Sequence, residues 1–148
     1  MLMKKVALLK LPALIIVIAA LAGCVQDTAS YMIDDNRNHA ITLSRAQQWF
    51  WDDRVSVAVI AARQPDCFGG LDIKQVPRSA ELVLYRAPED YPEPIFIMEV
   101  KGQHYAISTL SCKVQKFATA PDDKGAKIGV FKETDGRLRF VATNPATH

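Results

Sequence analysis

Arg54-Val55-Ser56-Val57-Ala58-Val59-Ile60-Ala61-Ala62-Arg63 is the stretch that decides the fold class. It is rich in β-branched residues, alternates at first, and then becomes continuously apolar up to Arg63. Successive side chains of a strand point to opposite faces, so this run reads as a strand buried on one or both faces. Just ahead of it, Ile41 and Leu43 alternate with Thr42 and Ser44, which predicts a second strand. Arg45 to Trp51 has an alternative reading as a short helix, because Ser44 is an acceptable N-cap and Arg-Ala-Gln-Gln tolerates helix. The favoured arrangement is two antiparallel strands joined across Gln48 to Asp53.

Downstream, Gln64-Pro65-Asp66-Cys67-Phe68-Gly69-Gly70 reads as a turn that ends the first run. Apolar runs of strand length follow at Glu81 to Arg86, Ile95 to Lys101, His104 to Leu110 and Cys112 to Phe117. Ala126 to Lys132 and Leu138 to Ala142 complete the series. Lys101-Gly102-Gln103 and Thr134-Asp135-Gly136 carry tight-turn chemistry between alternating runs and predict hairpins. Pro88, Pro92 and Pro94 break the chain between Arg86 and Ile95, which makes that segment a surface loop. About six to eight short strands at fairly regular spacing predict an all-β fold, a small antiparallel sandwich or barrel. Nothing repeats at a fixed period, so a solenoid or propeller is excluded.

The N-terminus is of another kind. Lys4, Lys5 and Lys10 form a positive region, and Leu11 to Gly23 is apolar apart from the neutral Pro12. Thirteen residues rise only about 20 Å as a helix, short of a hydrocarbon core of about 30 Å. That length suits the apolar region of a cleaved signal. An uncleaved anchor starting at Val6 would have to bury Lys10. The segment closes on Leu21-Ala22-Gly23-Cys24, a cysteine directly after a pair of small residues. On these residues Met1 to Cys24 resembles a bacterial lipoprotein precursor, with Leu21, Ala22 and Gly23 as the lipobox. The resemblance covers residues 1–24 and no more. It implies cleavage before Cys24, acylation of Cys24 and attachment to the lipid bilayer. The next residue is Val25, not the aspartate that favours inner-membrane retention in many Gram-negative lipoproteins, so outer-membrane sorting is the expectation. The expected organisation is a signal peptide over 1–23, an acylated tether over 24–38 and a single β domain over 39–148. The tether reading rests on the polar Asp34-Asp35-Asn36-Arg37-Asn38.

Removing 23 of the 148 residues leaves 125, enough for one domain with a real core. The leader takes three of the 18 Lys+Arg residues with it, so 15 remain against 16 Asp+Glu, a net charge near −1. No long run of like charge is present, which argues against nucleic acid as a partner. With Cys24 occupied by lipid, Cys67 and Cys112 are an even pair in an oxidising compartment, and a structural disulfide is expected between them. A redox C-x-x-C motif is absent, and two cysteines with three scattered histidines lack metal-ligand spacing. Neither a metal nor a cofactor is expected.

Trp49-Phe50-Trp51 is the sole cluster of successive aromatics. Three in a row cannot all face one side of a strand. They are either a hydrophobic plug on the core or an exposed platform for a protein or glycan partner. Asp66 beside Cys67-Phe68-Gly69-Gly70 lacks the further glycines and the Lys-Ser/Thr of a phosphate loop, and reads as a turn pinned by the disulfide. A hydrolase would need His104 or His39 assembled with Ser108 or Ser111 and an acid such as Glu99 or Asp66. No G-x-S-x-G elbow is present, and His104 reads as an ordinary strand histidine. Asp122-Asp123-Lys124-Gly125 has too few carboxylates for a calcium loop. The resulting expectation is a non-catalytic cell-envelope lipoprotein that binds or scaffolds an envelope partner, with Trp49, Phe50 and Trp51 as candidate contacts. An inhibitor of a lysozyme-like hydrolase is the alternative, by analogy of build alone. An envelope hydrolase is the third class.

Overall fold

A computed structural model describes residues 24–144. The expected signal peptide over 1–23, with the expected lipobox residues Leu21, Ala22 and Gly23, lies outside the described residues. Ten strands are present among those described: β1 (Gln26–Ile33), β2 (Asn36–Ala46), β3 (Arg54–Arg63), β4 (Cys67–Pro77) and β5 (Leu82–Arg86), then β6 (Phe96–Val100), β7 (Gln103–Ile107), β8 (Val114–Lys116), β9 (Ala126–Thr134) and β10 (Arg137–Ala142). They form two antiparallel sheets, ordered β1-β2-β3-β4 and β10-β9-β5-β6-β7-β8. The fold is all-β, as the alternating runs predict, and the short helix considered for Arg45 to Trp51 does not form.

β3 is one of the two inner strands of the first sheet. Val55, Val57, Val59 and Ala61 point inward and are buried, while Ser56 and the flanking arginines are exposed. Ile41 and Leu43 of β2 lie in the same layer. Leu84, Met98, Ile107 and Phe131 face them from the second sheet, all fully buried. Alternation at a period of two thus builds one core from two faces.

Two expectations are corrected. Val25 to Asn38 is not a tether: Gln26–Ile33 is a strand that pairs with β2 from Gln26↔Ala46 onward. Its inward positions Asp27, Ala29 and Tyr31 are half-buried and Ile33 is buried, a period-two pattern hidden by small and polar residues. Asp34 and Asp35 both have φ of 54°, the left-handed conformation at both central residues that a type I′ turn requires. The polar run is hairpin chemistry. The domain therefore begins at Gln26, ahead of the expected boundary at 39.

Gln64 to Gly70 is also not all turn, because β4 begins at Cys67. Gly69 and Gly70 sit inside the strand. A Cβ on Gly69 would stand 2.2 Å from the Cys112 carbonyl oxygen, and one on Gly70 2.4 Å from that of Val59. These glycines serve close backbone approach rather than reversal of the chain. β1 and β4 account for the strands beyond the expected six to eight. The predicted hairpins at Lys101-Gly102 and Asp135-Gly136 are present, each with positive φ at both central residues.

The two seams between the sheets are closed differently. On one side β1 runs beside β10. Here Asp27 accepts two hydrogen bonds from the Arg45 guanidinium, at 2.8 and 2.7 Å, and one from the Leu138 amide at 2.8 Å. Arg45, only 2% exposed, also donates to Glu133 at 2.8 Å and to the Arg78 carbonyl at 3.3 Å. Arg78 completes the group with a 2.7 Å bond to Glu133. On the other side, where β4 comes near β8, Cys67 and Cys112 are disulfide-bonded with Cα atoms 5.8 Å apart, as expected for this pair.

The ion network makes stability depend on pH. Burial pushes the Asp27 carboxyl up, but the bonds from Arg45 and Leu138 outweigh it and hold the group below its ordinary value. Glu133 is likewise lowered, chiefly by Arg78. A carboxylate depressed in the folded state contributes stability above its unfolded pKa and loses it as pH falls through the folded one. Thermal unfolding should accordingly be flat above the ordinary carboxylate range, about 3.9 to 4.3, and Tm should drop at lower pH. Asp27→Asn should flatten that acid limb; an unchanged limb would place the pH dependence elsewhere.

Candidate binding surface at Trp49, Phe50 and Trp51

The β2–β3 connection, Gln47 to Asp53, is held by backbone and short polar side chains, which leaves its aromatics free. Gln47 is the hub. Its amide donates to the Val25 carbonyl at 2.8 Å, its Oε1 accepts from the Val25 amide at 3.1 Å, and its Nε2 donates to the Asp52 carbonyl. The Asp52 amide then donates to the Trp49 carbonyl at 3.1 Å, closing a turn with Phe50 and Trp51 at its centre. The Asp52 carboxylate accepts from the Arg54 amide at 3.0 Å and from its guanidinium at 2.9 and 3.2 Å. These bonds from Arg54 hold the Asp52 carboxyl below its ordinary value. The Asp53 carbonyl accepts from the Arg78 amide at 2.8 Å, tying the loop to the end of β4.

On this frame Trp49, Phe50 and Trp51 are 50%, 54% and 67% exposed. The plug reading is therefore overturned: all three rings are exposed and none belongs to the buried core. The two indoles stack on each other, centroids 5.1 Å apart at 18°, and Phe50 meets Trp51 edge-on at 4.8 Å and 82°. Mutual stacking keeps the three rings together as one apolar surface and restricts their rotamers before anything binds.

Cys24 is an exposed free thiol just ahead of β1. Because β1 and β2 are antiparallel, its strand starts at the same end of the sheet at which β2 stops. Cys24 and the aromatic loop are thus neighbours, which no spacing in the sequence suggests. A polar surface depression beside them is lined by Cys24, Asp27, Arg78, Gly136 and Arg137.

The other candidate residues are dispersed. His104 Nε2 lies 3.4 Å from Glu99 Oε2, and Glu99 also bonds Lys124, which is the main reason its carboxyl is held low. His39 Nε2 is 2.7 Å from Thr109 Oγ1. Ser108 Oγ accepts the amides of Leu110 and Ser111, at 3.1 and 3.2 Å, and Ser111 Oγ donates to Glu93 at 2.7 Å. Neither serine bonds a histidine among the described residues. Asp66 is exposed, 3.9 Å from Arg63, and Asp123 accepts the Gly125 amide at 2.7 Å in a local turn. No group of three or more His, Cys, Asp or Glu is placed to hold a metal among the described residues.

At the far end of the fold, a shallow groove of about 590 Å³ runs between the proline-rich loop and β7–β8, with Tyr91, Leu110 and Phe117 in its wall. Of its lining, the sequence pattern marks only Pro92, and that as a loop residue. Comparison of the chain with protein-family models, with curated proteins and with solved structures finds no match.

Proposed function

We propose that the chain is a non-catalytic cell-envelope lipoprotein, held on the membrane by acylated Cys24 and acting by binding through Trp49, Phe50 and Trp51. The observation that carries the binding surface is the exposure of three aromatics, packed on one another, on a loop held in place by the bonds of Gln47 and Asp52. Packing does not require large aromatics at such a position, whereas binding surfaces favour them. The lipid attachment rests on the resemblance of Met1 to Cys24 to a lipoprotein precursor. An exposed Cys24 ahead of the first strand is compatible with both cleavage and acylation. Metabolic labelling with palmitate in a bacterial host tests it. The wild type should incorporate label and lose its leader, and Cys24→Ala should do neither. Equal processing of both proteins with no label in either would remove the lipid anchor.

A further inference from the structure

We infer that the occupant of the Trp49-Phe50-Trp51 loop is the bilayer itself: the three rings seat in the headgroup interface of the same membrane that holds Cys24. This rests on the lipid-anchor reading of Cys24 and adds to it the orientation of the domain. Only Val25 separates the acylated residue from β1, and one residue spans at most about 3.6 Å. Val25 is not slack chain either, since its amide and carbonyl are both bonded to Gln47. Gln47 lies two positions before Trp49. A lipid on the Cys24 sulfur therefore brings this end of the fold, and the aromatic loop with it, down to the membrane surface.

The chemistry of the loop suits that place. Indole has a large apolar body and one polar N–H, which is why Trp collects at headgroup depth. Some charges near the loop are neutralised in place: Asp52 by Arg54, and Glu133 by Arg78 and Arg45. Asp53, Glu81, Lys101, Asp135 and Arg137 remain exposed at this end. Such a rim allows shallow seating in the interface, about 5–10 Å deep, and opposes deeper insertion. Acyl chains and aromatic loop then act as two attachment points, and the domain is held in one orientation instead of swinging on a tether. A protein partner on the same rings would have to enter between the domain and the bilayer.

Trp49 and Trp51 are the only tryptophans in the chain, so tryptophan emission, excited to the red of tyrosine absorption, reports on this loop alone. The probe is acylated protein, extracted from the host membrane in detergent and reconstituted into phosphatidylcholine/phosphatidylglycerol vesicles with or without brominated acyl chains. Bromine should remove most of the emission, and the spectrum should lie to the blue of that in detergent-free solution of the leaderless protein. Phe50→Ser, which keeps both indoles, should weaken the quenching. Trp49→Phe and Trp51→Phe assign the signal to each ring. Equal emission from both kinds of vesicle, in protein whose mass includes the acyl group, would overturn the bilayer contact and return the loop to a protein or glycan partner. Protein without an acyl group would overturn the anchor reading, and this inference with it.

Discussion

Replacing Arg45 with alanine is expected to lower folding stability by about 3–5 kcal/mol, the cost of breaking a buried ion pair by removing one partner. Arg45 is nearly inaccessible and carries the contacts that join β1, β2 and β9 across one seam. Without it, the half-buried Asp27 carboxylate loses its main donor, Glu133 keeps Arg78 but loses one bond, and the Arg78 carbonyl loses one bond. The chemical-denaturation midpoint should fall with the slope unchanged, as for a change in stability without a change in surface exposed. Arg45→Met tests the mechanism, because it restores volume without charge and should recover little. Adding Asp27→Leu to Arg45→Met removes a stranded carboxylate and should regain part of the loss. A cost below about 1 kcal/mol for Arg45→Ala would class the group with solvent-exposed pairs.

The second large effect belongs to the opposite seam. Cys67→Ala with Cys112→Ala should cost about 4 kcal/mol on the chain-entropy estimate for a closed loop of this length, the bridged residues being 45 apart in sequence. The same site carries the close approach of Gly69 to the Cys112 carbonyl, so the bridge joins backbones that already touch. The two seams share no residues. The Arg45 and disulfide effects should therefore add to within about 0.5 kcal/mol, as unfolding of the combined variant would report. Strong non-additivity would mean that opening one seam already releases the other.

The parts of the fold that were legible were those in which side-chain pattern and backbone chemistry agree. β3 declares itself by Val55, Val57 and Val59, and the two Gly-containing hairpins by residues that tolerate positive φ. β1 was missed because its inward face is built from Asp27, Ala29 and Tyr31, which no hydropathy pattern marks as core. Its turn uses Asp-Asp where Gly is usual. β4 was missed because Gly69 and Gly70 signal a turn in sequence but provide clearance in space. Arg45 gave no sign of burial, since its partners lie 18 and 88 positions away. For the candidate site, sequence singled out Trp49, Phe50 and Trp51 but left open whether they face core or solvent. Their closeness to Cys24 depends on the β1–β2 pairing, and an expected tether conceals it.

The orientation that follows is simple. One end of the fold carries Cys24 and the aromatic loop. The far end carries the disulfide, the Asp34-Asp35 turn and the groove beside Tyr91 and Phe117. If the first end faces lipid, the second faces away from it.

Membrane attachment and the orientation of the domain both depend on the chemical state of Cys24, and the mass of the N-terminal peptide of membrane-extracted protein reads that state directly. The expected peptide begins at Cys24 and carries acyl chains. A peptide that still contains Leu21-Ala22-Gly23, or one that begins at Cys24 with an unmodified thiol, would contradict it.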